Sequence, residues 1–267
     1  MCELFAMSSL QPATVSFSLE RFARRGGGVA PNRDGWGVVA YDEGDVRCLR
    51  EPFPAASSPL VRFIERHPPC SGLVVSHIRR ATVGGRLLKN TQPFCRDLGG
   101  RIHVFAHNGH LAGLERTPAS EFGCHRPVGD TDSEAAFGVL LRRLEGLWAA
   151  GRPPLQARLD VVAAFAAELR PHGPANFLYG DGEILFAHGH RRHQADGRIA
   201  PPGLHLLCRE CAGEQTPLAG EGIAIASPRQ QVALVASVPL TDEAWRPLAP
   251  GELIALSAGR VAAALVP

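Results

Sequence analysis

The sequence predicts an α+β fold in which two antiparallel sheets pack together and are covered by helices. Three observations support this class. Apolar residues recur about every 2 residues in some segments, which is typical of strands, and about every 3.6 residues in others, which is typical of helices. Strand-like segments come first, two adjacent helices follow, and further strands close the chain. This order lacks the strict strand–helix alternation of a doubly wound parallel sheet.

The first half of the chain supplies a helix, a hairpin and two buried strands. Residues 15–25 predict a short helix that ends in the glycines at 26–28, and 59–67 predict a second helix. Alternating apolar residues around Asp42-Glu43-Gly44-Asp45 predict a hairpin of strands 36–41 and 46–50. Two apolar runs that end in polar residues predict buried strands, GLVVSHIRR at 72–80 and IHVFAHNG at 102–109.

The second half begins with the clearest helix, at 131–148. Thr131 and Glu134 have the spacing of a capping box, and a helical stripe of apolar residues follows. A further helix is expected at 155–169. The remaining strands are expected at 175–180, 183–188, 203–208, 222–227, 231–238 and 252–257.

Length and composition indicate an ordinary globular protein. The 267 residues, 45% hydrophobic and 20% charged, suffice for a sizeable core, and we expect a single domain over 1–267. No apolar run reaches the roughly 18 residues of a membrane-spanning helix. The first residues lack the basic and apolar regions of a secretory signal. We therefore expect a cytoplasmic protein that does not bind membranes.

Charge and cysteine content exclude several other classes. The net charge is +2 and no basic stripe is present, so we expect no nucleic-acid partner. The seven cysteines are expected to be free thiols in a reducing compartment. Cys208 and Cys211 form the one CxxC pair, which lacks the second pair of a zinc ribbon, and two ordinary cysteines are the simplest interpretation. We expect no metal and no cofactor.

Cys2 follows the initiator methionine directly. Considered alone, the pair is explained by chance. The alternative is that removal of Met1 makes Cys2 the N-terminal residue, so that its α-amine serves as the base and its sulfur as the nucleophile.

Three further segments carry residues that suit catalysis or binding. In SHIRRAT (76–82), Arg79 can hold a carboxylate if it faces a cleft, and otherwise it is an arginine at a sheet edge. In AHNGH (106–110), Asn108 and Gly109 suit either a hairpin turn or an oxyanion hole. In GDTDSE (129–134), Asp132 either complements the helix dipole or binds an ammonium group. RDGWG (33–37) and NTQPF (90–94) predict loops that enter strands, without a derivable chemistry.

Together these residues fit one ligand. Arg79 would bind an α-carboxylate and Asp132 an α-amine, while Asn108 and Gly109 would stabilise an oxyanion. Cys2 would attack a side-chain carbonyl. A free amino acid with a side-chain amide, glutamine or asparagine, meets this description.

Met-Cys, SHIRRAT, NTQPF, AHNG and DTDSE, in this order, resemble the class II glutamine amidotransferases. The segments RRGGGVAPNRDGWG (24–37) and SVPLTDEAWRPLAPGEL (237–253) resemble the stand-alone YafJ-like members. The resemblance implies a four-layer αββα sandwich of the N-terminal nucleophile hydrolases. One position departs from the pattern, because many members have His where this chain has Gln92.

The resemblance also implies a role for each site residue. Cys2 is the nucleophile, Asn108 and Gly109 form the oxyanion hole, and Arg79 binds the α-carboxylate with His77 and Thr82 beside it. Asp132 binds the α-amine. The implied reaction releases ammonia from glutamine through a γ-glutamyl thioester.

The partner of such a reaction is left open. The chain has no room for a fused synthase domain, so a separate synthase subunit is one expectation. A stand-alone hydrolase of a γ-glutamyl amide, as in ergothioneine biosynthesis, is the alternative. A non-catalytic binding module and a relative of the bile-salt and penicillin hydrolases are weaker ones. HGHRRH (188–193) lines either an extended substrate, a partner surface or only solvent.

Overall fold

Two antiparallel sheets stacked face to face form the centre of the molecule. The computed structural model describes residues 2–14, 16–17, 32–210, 218–220, 223–225 and 230–267. Its helices are α1 (Pro59–Arg66), α2 (Asp132–Trp148) and α3 (Leu155–Leu169). The strands are β1 (Glu3–Thr14), β2 (Ser16–Phe17), β3 (Trp36–Asp42), β4 (Asp45–Glu51), β5 (Cys70–Ile78), β6 (Phe94–Leu98), β7 (Arg101–Asn108), β8 (Asn176–Gly180), β9 (Leu185–Gly189), β10 (Arg192–His193), β11 (Ile199–Ala200), β12 (His205–Glu210), β13 (Leu218–Gly220), β14 (Ile223–Ile225), β15 (Gln231–Ala236), β16 (Arg246–Pro247), β17 (Glu252–Ser257) and β18 (Arg260–Leu265).

Strand β1 lies in the middle of the first sheet. That sheet has the order β16-β12-β15-β1-β5-β3-β4, and the second has the order β18-β17-β9-β8-β7-β6. All the pairings in both sheets are antiparallel. The start of β1 therefore lies beside the end of β5, where Leu4 pairs with His77. Two small sheets, β10-β11 and β13-β14-β2, complete the described strands.

Side chains at the start of β1 point alternately into two different hydrophobic cores. Leu4 and Ala6 belong to the core between the two sheets, whereas Phe5 and Met7 belong to the core on the outer face of the first sheet. Successive side chains of a strand point to opposite faces, so the apolar residues 4–7 contribute to two cores at once.

Helices cover both outer faces. On the first sheet, α1 packs through Val61 and Ile64. On the second sheet, α2 and α3 bury an aromatic cluster in which Phe105 stacks on Phe137 with ring centroids 5.3 Å apart. The result is the four-layer αββα sandwich expected for this sequence.

The helix starts follow the sequence closely. The Ser58 hydroxyl caps α1 by accepting the N–H of Val61 at 3.1 Å. Thr131 caps α2 by accepting the N–H of Glu134 at 3.2 Å. The expected capping box is only half formed, because the Glu134 carboxylate instead accepts the N–H of Gly129 at 2.6 Å and pairs with Arg96.

Most of the expected elements are confirmed, and one is partly wrong. The hairpin at 36–50, the helices at 59–67, 131–148 and 155–169, and the strands at 72–80 and 102–109 are present within a few residues. Residues 16–17 form strand β2 and not a helix, while the rest of the expected helix at 15–25 and the glycines at 26–28 lie outside the described residues. Of the expected strand 222–227, the described part is β14.

Six cysteines are seen as free thiols: Cys2, Cys48, Cys70, Cys95, Cys124 and Cys208. Cys208 is exposed on β12, and Cys211 lies outside the described residues. None of the helices in the described part of the chain is long and apolar enough to cross a membrane.

Candidate active site

A cavity of about 1120 Å³ opens where the start of β1 meets the end of β7. Besides the start of the chain at Cys2, the main segments that line it are 80–82, 108–110, 172–174 and 191–195. Four of the sequence-predicted residues, Cys2, Thr82, Asn108 and Gly109, lie on its wall. The other three do not line it.

Cys2 is half-buried and immediately precedes β1. Its sulfur accepts a hydrogen bond from the backbone N–H of Arg80, with an N···S distance of 3.2 Å. Burial raises the pKa of the Cys2 thiol, while the Arg80 N–H and the charge of Arg79 act in the opposite direction. A thiol whose pKa is raised is protonated at neutral pH, so its use as a nucleophile requires a base.

Asn108 is the last residue of β7 and is fully buried. Its side-chain amide donates to the Ser237 hydroxyl at 3.3 Å, and its carbonyl accepts from the Asn176 amide at 3.0 Å. The preceding N–H, of His107, donates to the Gln92 side-chain oxygen at 2.6 Å. The end of β7 is therefore held by side chains on three sides. Gln92, the position that departs from the family pattern, is one of these supports.

Gly109 lies in a position that only glycine fits. A Cβ atom there would overlap the carbonyl oxygen of Pro174 and would crowd the ring of His107. The backbone at Gly109 is therefore open to a ligand on one side and in contact with the 172–174 segment on the other. The Asn-Gly pair is not a hairpin turn, since β7 pairs with β6 and β8 and the chain leaves the sheet after Asn108.

Arg79 lies behind the cavity wall and not on it. Its side chain is buried, and its guanidinium donates to the carbonyl groups of Val83 at 2.9 Å, Gly84 at 3.1 Å and Gly85 at 3.0 Å. The chain after β5 curls back over Arg79, so in this conformation its guanidinium faces these carbonyl groups, and carboxylate binding by Arg79 stays a prediction. It is Arg80 and Thr82 that face the cavity.

His77 also lies away from the cavity, in the interior of the first sheet. It pairs with Leu4 on one side and Gly37 on the other, and it is completely buried. Burial, with a smaller contribution from the charge of Arg79, lowers the pKa of His77 to about 3. The ring is therefore neutral at physiological pH.

Asp132 is the first residue of α2 and is buried. Its carboxylate accepts the N–H of Leu111 at 2.7 Å and lies 3.4 Å from Nδ1 of His110. It therefore fixes the loop that follows the Asn-Gly pair. His110 lines the cavity, so Asp132 lies one residue behind the wall.

Asp34 gives RDGWG a structural role that the sequence did not reveal. Its carboxylate accepts the N–H of Ala81 at 2.8 Å and pairs with Arg86. Its own N–H donates to the carbonyl of Arg79 at 3.2 Å. These contacts hold the SHIRRAT loop in the shape that brings the Arg80 N–H to Cys2.

Ser237 is a site component that sequence reasoning missed, whereas residues 191–193 belong to HGHRRH, for which the sequence offered an extended substrate as one interpretation. The Ser237 hydroxyl accepts the N–H of Leu4 at 2.9 Å as well as the Asn108 amide, so it joins the nucleophile strand to β7. Its carbonyl accepts a bond from Arg192 at 2.6 Å. The one available signal for Ser237 was its presence in SVPL. Arg191, Arg192 and His193 of HGHRRH line the cavity, which is the position that the extended-substrate interpretation requires.

A two-sheet αββα sandwich with a cysteine at the start of a central strand, on the same cavity wall as an Asn-Gly corner, is the fold of the N-terminal nucleophile hydrolases. Comparison with known proteins identifies the branch. Residues 1–266 match the family model of the class II glutamine amidotransferases, and the chain belongs to this family.

Relatives and solved structures agree. The chain is 35% identical over 258 residues to YafJ of Escherichia coli (strain K12), whose name assigns it to the glutamine amidotransferases, covering 94% of this chain and 96% of that one. A crystal structure of a predicted glutamine amidotransferase from Pseudomonas aeruginosa PA01 superposes with a TM-score of 0.70 at 32% identity, covering 98% and 100% of the two chains. Glutamine phosphoribosylpyrophosphate amidotransferase from Bacillus subtilis shares the fold at 16% identity, with a TM-score of 0.63 over 99% of this chain and 49% of that one.

Proposed function

We propose that the protein hydrolyses the side-chain amide of glutamine, or of a related γ-glutamyl amide, with Cys2 as the nucleophile. The observation that carries the proposal is the shared cavity of Cys2 and the Asn108-Gly109 corner. A nucleophile and a pair of oxyanion donors on one cavity wall are the minimum for acyl transfer.

The proposed reaction proceeds through a thioester. Removal of Met1 frees the α-amine of Cys2, whose ordinary pKa of about 7.7–8.0 leaves a useful neutral fraction at pH 7. The amine takes the thiol proton, directly or through a water, and the sulfur attacks the γ-carbonyl carbon. The proton then passes to the leaving nitrogen, the C–N bond breaks, and ammonia departs. Water cleaves the γ-glutamyl thioester to give glutamate and the free thiol.

Asn108 and Gly109 would hold the oxyanion of each tetrahedral intermediate. This role is supported by the hydrogen bonds of Gln92, Asn176 and Ser237 to the end of β7. These bonds keep the two donors in place before the substrate arrives. Donors that are fixed in advance need no reorganisation during the reaction, which is why one of them is typically worth about 3–4 kcal/mol of barrier.

Substrate recognition is proposed for the residues on and behind the wall. Thr82 faces the cavity. The Arg79 guanidinium, which donates to the carbonyl groups of residues 83–85, would turn some of its N–H groups to the α-carboxylate of the ligand. Asp132, with His110 beside it, would attract the α-amine, and His77 would support the strand next to Arg79. Because Arg79 already donates to carbonyl groups, carboxylate binding by Arg79 competes with these contacts.

Two physiological functions are compatible with this reaction, and they differ in whether the leaving group is ammonia or a larger amine. One is a glutaminase subunit that supplies ammonia to a separate synthase partner. The other is a stand-alone hydrolase of a γ-glutamyl metabolite, as in ergothioneine biosynthesis, and the size of the cavity favours it. In either case the proposal places the enzyme in the cytoplasm, where a thiol nucleophile stays reduced.

The decisive experiment is intact-mass analysis after incubation with 6-diazo-5-oxo-L-norleucine, a glutamine analogue that alkylates such nucleophiles. One adduct on Cys2, mapped by peptide analysis in a chain that lacks Met1, supports the proposal. A chain that retains Met1 should stay unmodified, because its base is then part of a peptide bond. Modification elsewhere, or glutamine hydrolysis by the Cys2→Ala variant, would remove Cys2 from the mechanism.

A further inference from the structure

The charged side chains on the cavity wall are unbalanced. Among the described residues that line it, three are arginines, Arg80, Arg191 and Arg192, whereas Glu3 is the single acid. Glu3 lies 3.5 Å from Arg192, so that acid is already paired. Within the described residues, Arg80 and Arg191 form no ion pair, and Nε of Arg191 is buried without a hydrogen-bond partner. Among the described residues that line the cavity, these two cations therefore have no acidic partner.

Arg191 is tied closely to the reacting corner. The Asn176 amide donates to the carbonyl of Arg191 at 2.8 Å and to that of Asn108 at 3.0 Å, and its oxygen accepts the N–H of His190 at 2.8 Å. One side chain thus fixes Arg191 relative to the proposed oxyanion hole. Arg80 is fixed on the other side, since its own N–H binds the Cys2 sulfur. The backbone at both arginines is therefore fixed close to the proposed nucleophile and oxyanion hole.

The cavity is also larger than free glutamine requires. Its volume of about 1120 Å³ slightly exceeds the range of roughly 300–1,000 Å³ that holds drug-sized ligands. If the glutamyl part occupies the side near Thr82 and His110, the remaining space runs toward the β10-β11 hairpin that carries Arg191.

We propose that the physiological substrate is a γ-glutamyl amide whose amine portion carries an anionic group, a carboxylate in the simplest case, that Arg191 and Arg80 bind. This inference rests on the proposed function and names the class of its substrate. The thiolate displaces the amine as before: the S–C bond forms, the C–N bond breaks, and the leaving amine takes the proton held by the α-amine of Cys2. An arginine matches the two oxygens of a carboxylate with two parallel N–H donors, so it suits this role.

A matched pair of substrates tests the proposal directly. L-γ-glutamylglycine carries a carboxylate on its amine portion, and L-γ-glutamylglycinamide is its neutral analogue. We expect kcat/KM for the anionic compound to exceed that for the neutral one by about tenfold, with the ratio falling as salt is added. A ratio of one or below in the native enzyme would overturn the proposal.

Variants test whether Arg191 causes the preference for the anionic substrate. Arg191→Gln should bring the ratio close to one, and Arg191→Lys should restore part of it because the charge returns without the paired donors. Arg198→Gln is the matched control: Arg198 lies on the same hairpin but is exposed and paired with Asp196 at 2.6 Å. Its ratio should equal that of the native enzyme, and an equal drop in both variants would refute the assignment to Arg191.

Glutamine serves as the reference that separates the two levels of the proposal. If glutamine is hydrolysed and Cys2 is labelled, but neutral amides are preferred, only the anionic-substrate inference fails. If neither glutamine nor any γ-glutamyl compound is hydrolysed and Cys2 remains unlabelled, the proposed function fails and the inference falls with it.

Discussion

The sulfur of Cys2 accepts the backbone N–H of Arg80 at 3.2 Å, although the two residues are 78 positions apart in the sequence. The contact forms because β1 and β5 are antiparallel neighbours, so the start of one lies beside the end of the other. Since the main chain of residue 80 holds the nucleophile, its side chain is left to face the cavity. Arg80, in the turn after β5, thus binds the Cys2 sulfur through its backbone and adds a positive charge to the cavity through its side chain.

Replacement of Cys2 tests the centre of this arrangement. Cys2→Ala should reduce glutamine hydrolysis by at least about a thousandfold, because the covalent route is lost while binding remains. The measurement is ammonia release by the purified chain, alongside thermal unfolding to verify the fold. Cys124→Ser is the control, since Cys124 is exposed beside His125 and Glu145 and does not line the cavity. Appreciable activity in Cys2→Ala would contradict the assignment.

Asn108 and Ser237 test the oxyanion corner. Asn108→Ala should lower kcat about 10²–10³-fold with little change in KM, because the lost donor acts mainly in the transition state. Ser237→Ala removes the hydroxyl that orients the Asn108 amide, so we expect a smaller loss, again in kcat. Steady-state kinetics with glutamine distinguish these outcomes. A rise in KM at constant kcat for Asn108→Ala would instead indicate a role in ground-state binding.

Much of the fold was predictable from the sequence, because hydrophobic period and capping residues are local signals. The helix at 155–169 and the hairpin at 36–50 are examples. Strand β1 was not predicted, although Glu3–Thr14 is the longest strand described. Residues 4–7 are apolar on both faces because both faces are buried there, so the polar alternation that marks a strand is absent at its start.

The site was predictable only in part, for a related reason. Cys2, Asn108 and Gly109 were singled out because their motifs, taken together and in order, fit one ligand and resemble a known family, whereas each motif alone was ambiguous. The roles of Asp34, Ser237 and Asn176 consist of contacts with residues 14 to 233 positions away, and no local pattern encodes such contacts. For the same reason SHIRRAT gave no sign that Arg79 would turn away from the cavity toward the carbonyls at 83–85.

Gly109→Ala tests the steric requirement at the corner. The added Cβ would overlap the Pro174 carbonyl, so the 172–174 segment or β7 must shift, and we expect a loss of about 1–3 kcal/mol in the free energy of unfolding together with loss of activity. Gly146→Ala is the control, because Gly146 is exposed on α2 and its Cβ would meet open space. That change should stabilise the protein by about 0.5–1 kcal/mol. Urea unfolding measures both, and a neutral effect of Gly109→Ala would disprove the steric argument.

Arg79→Lys separates carboxylate binding from loop support. Lysine keeps the charge but cannot donate to three carbonyls and a ligand at once, so we expect KM for glutamine to rise about tenfold or more while kcat changes less. The purely structural alternative predicts a lower melting temperature and a loss of kcat, with KM unchanged. Measuring melting temperature and both kinetic constants on one preparation decides between them. Asp132→Asn, examined in the same way, tests the α-amine contact.

The buried histidine His103 should make the protein less stable in acid. Its ring contacts the Tyr179 hydroxyl at 2.7 Å and packs edge-on to Trp148, and burial lowers the pKa of His103 from 6.5 to about 3. Near pH 7.5 the ring is neutral in both states. Below about pH 6.5 the unfolded chain takes up a proton that the folded protein refuses until about pH 3, so stability falls as the pH falls.

His103→Gln keeps a partner for Tyr179 but cannot titrate. The loss of unfolding free energy between about pH 7.5 and pH 5 should therefore be smaller in this variant than in the native protein, by about 2 kcal/mol. Urea titrations at the two pH values give the four free energies required. His67→Gln, an exposed position at the end of α1, is the control and should leave the pH dependence unaltered. Equal pH dependence in His103→Gln and the native protein would show that His103 takes up its proton without unfolding.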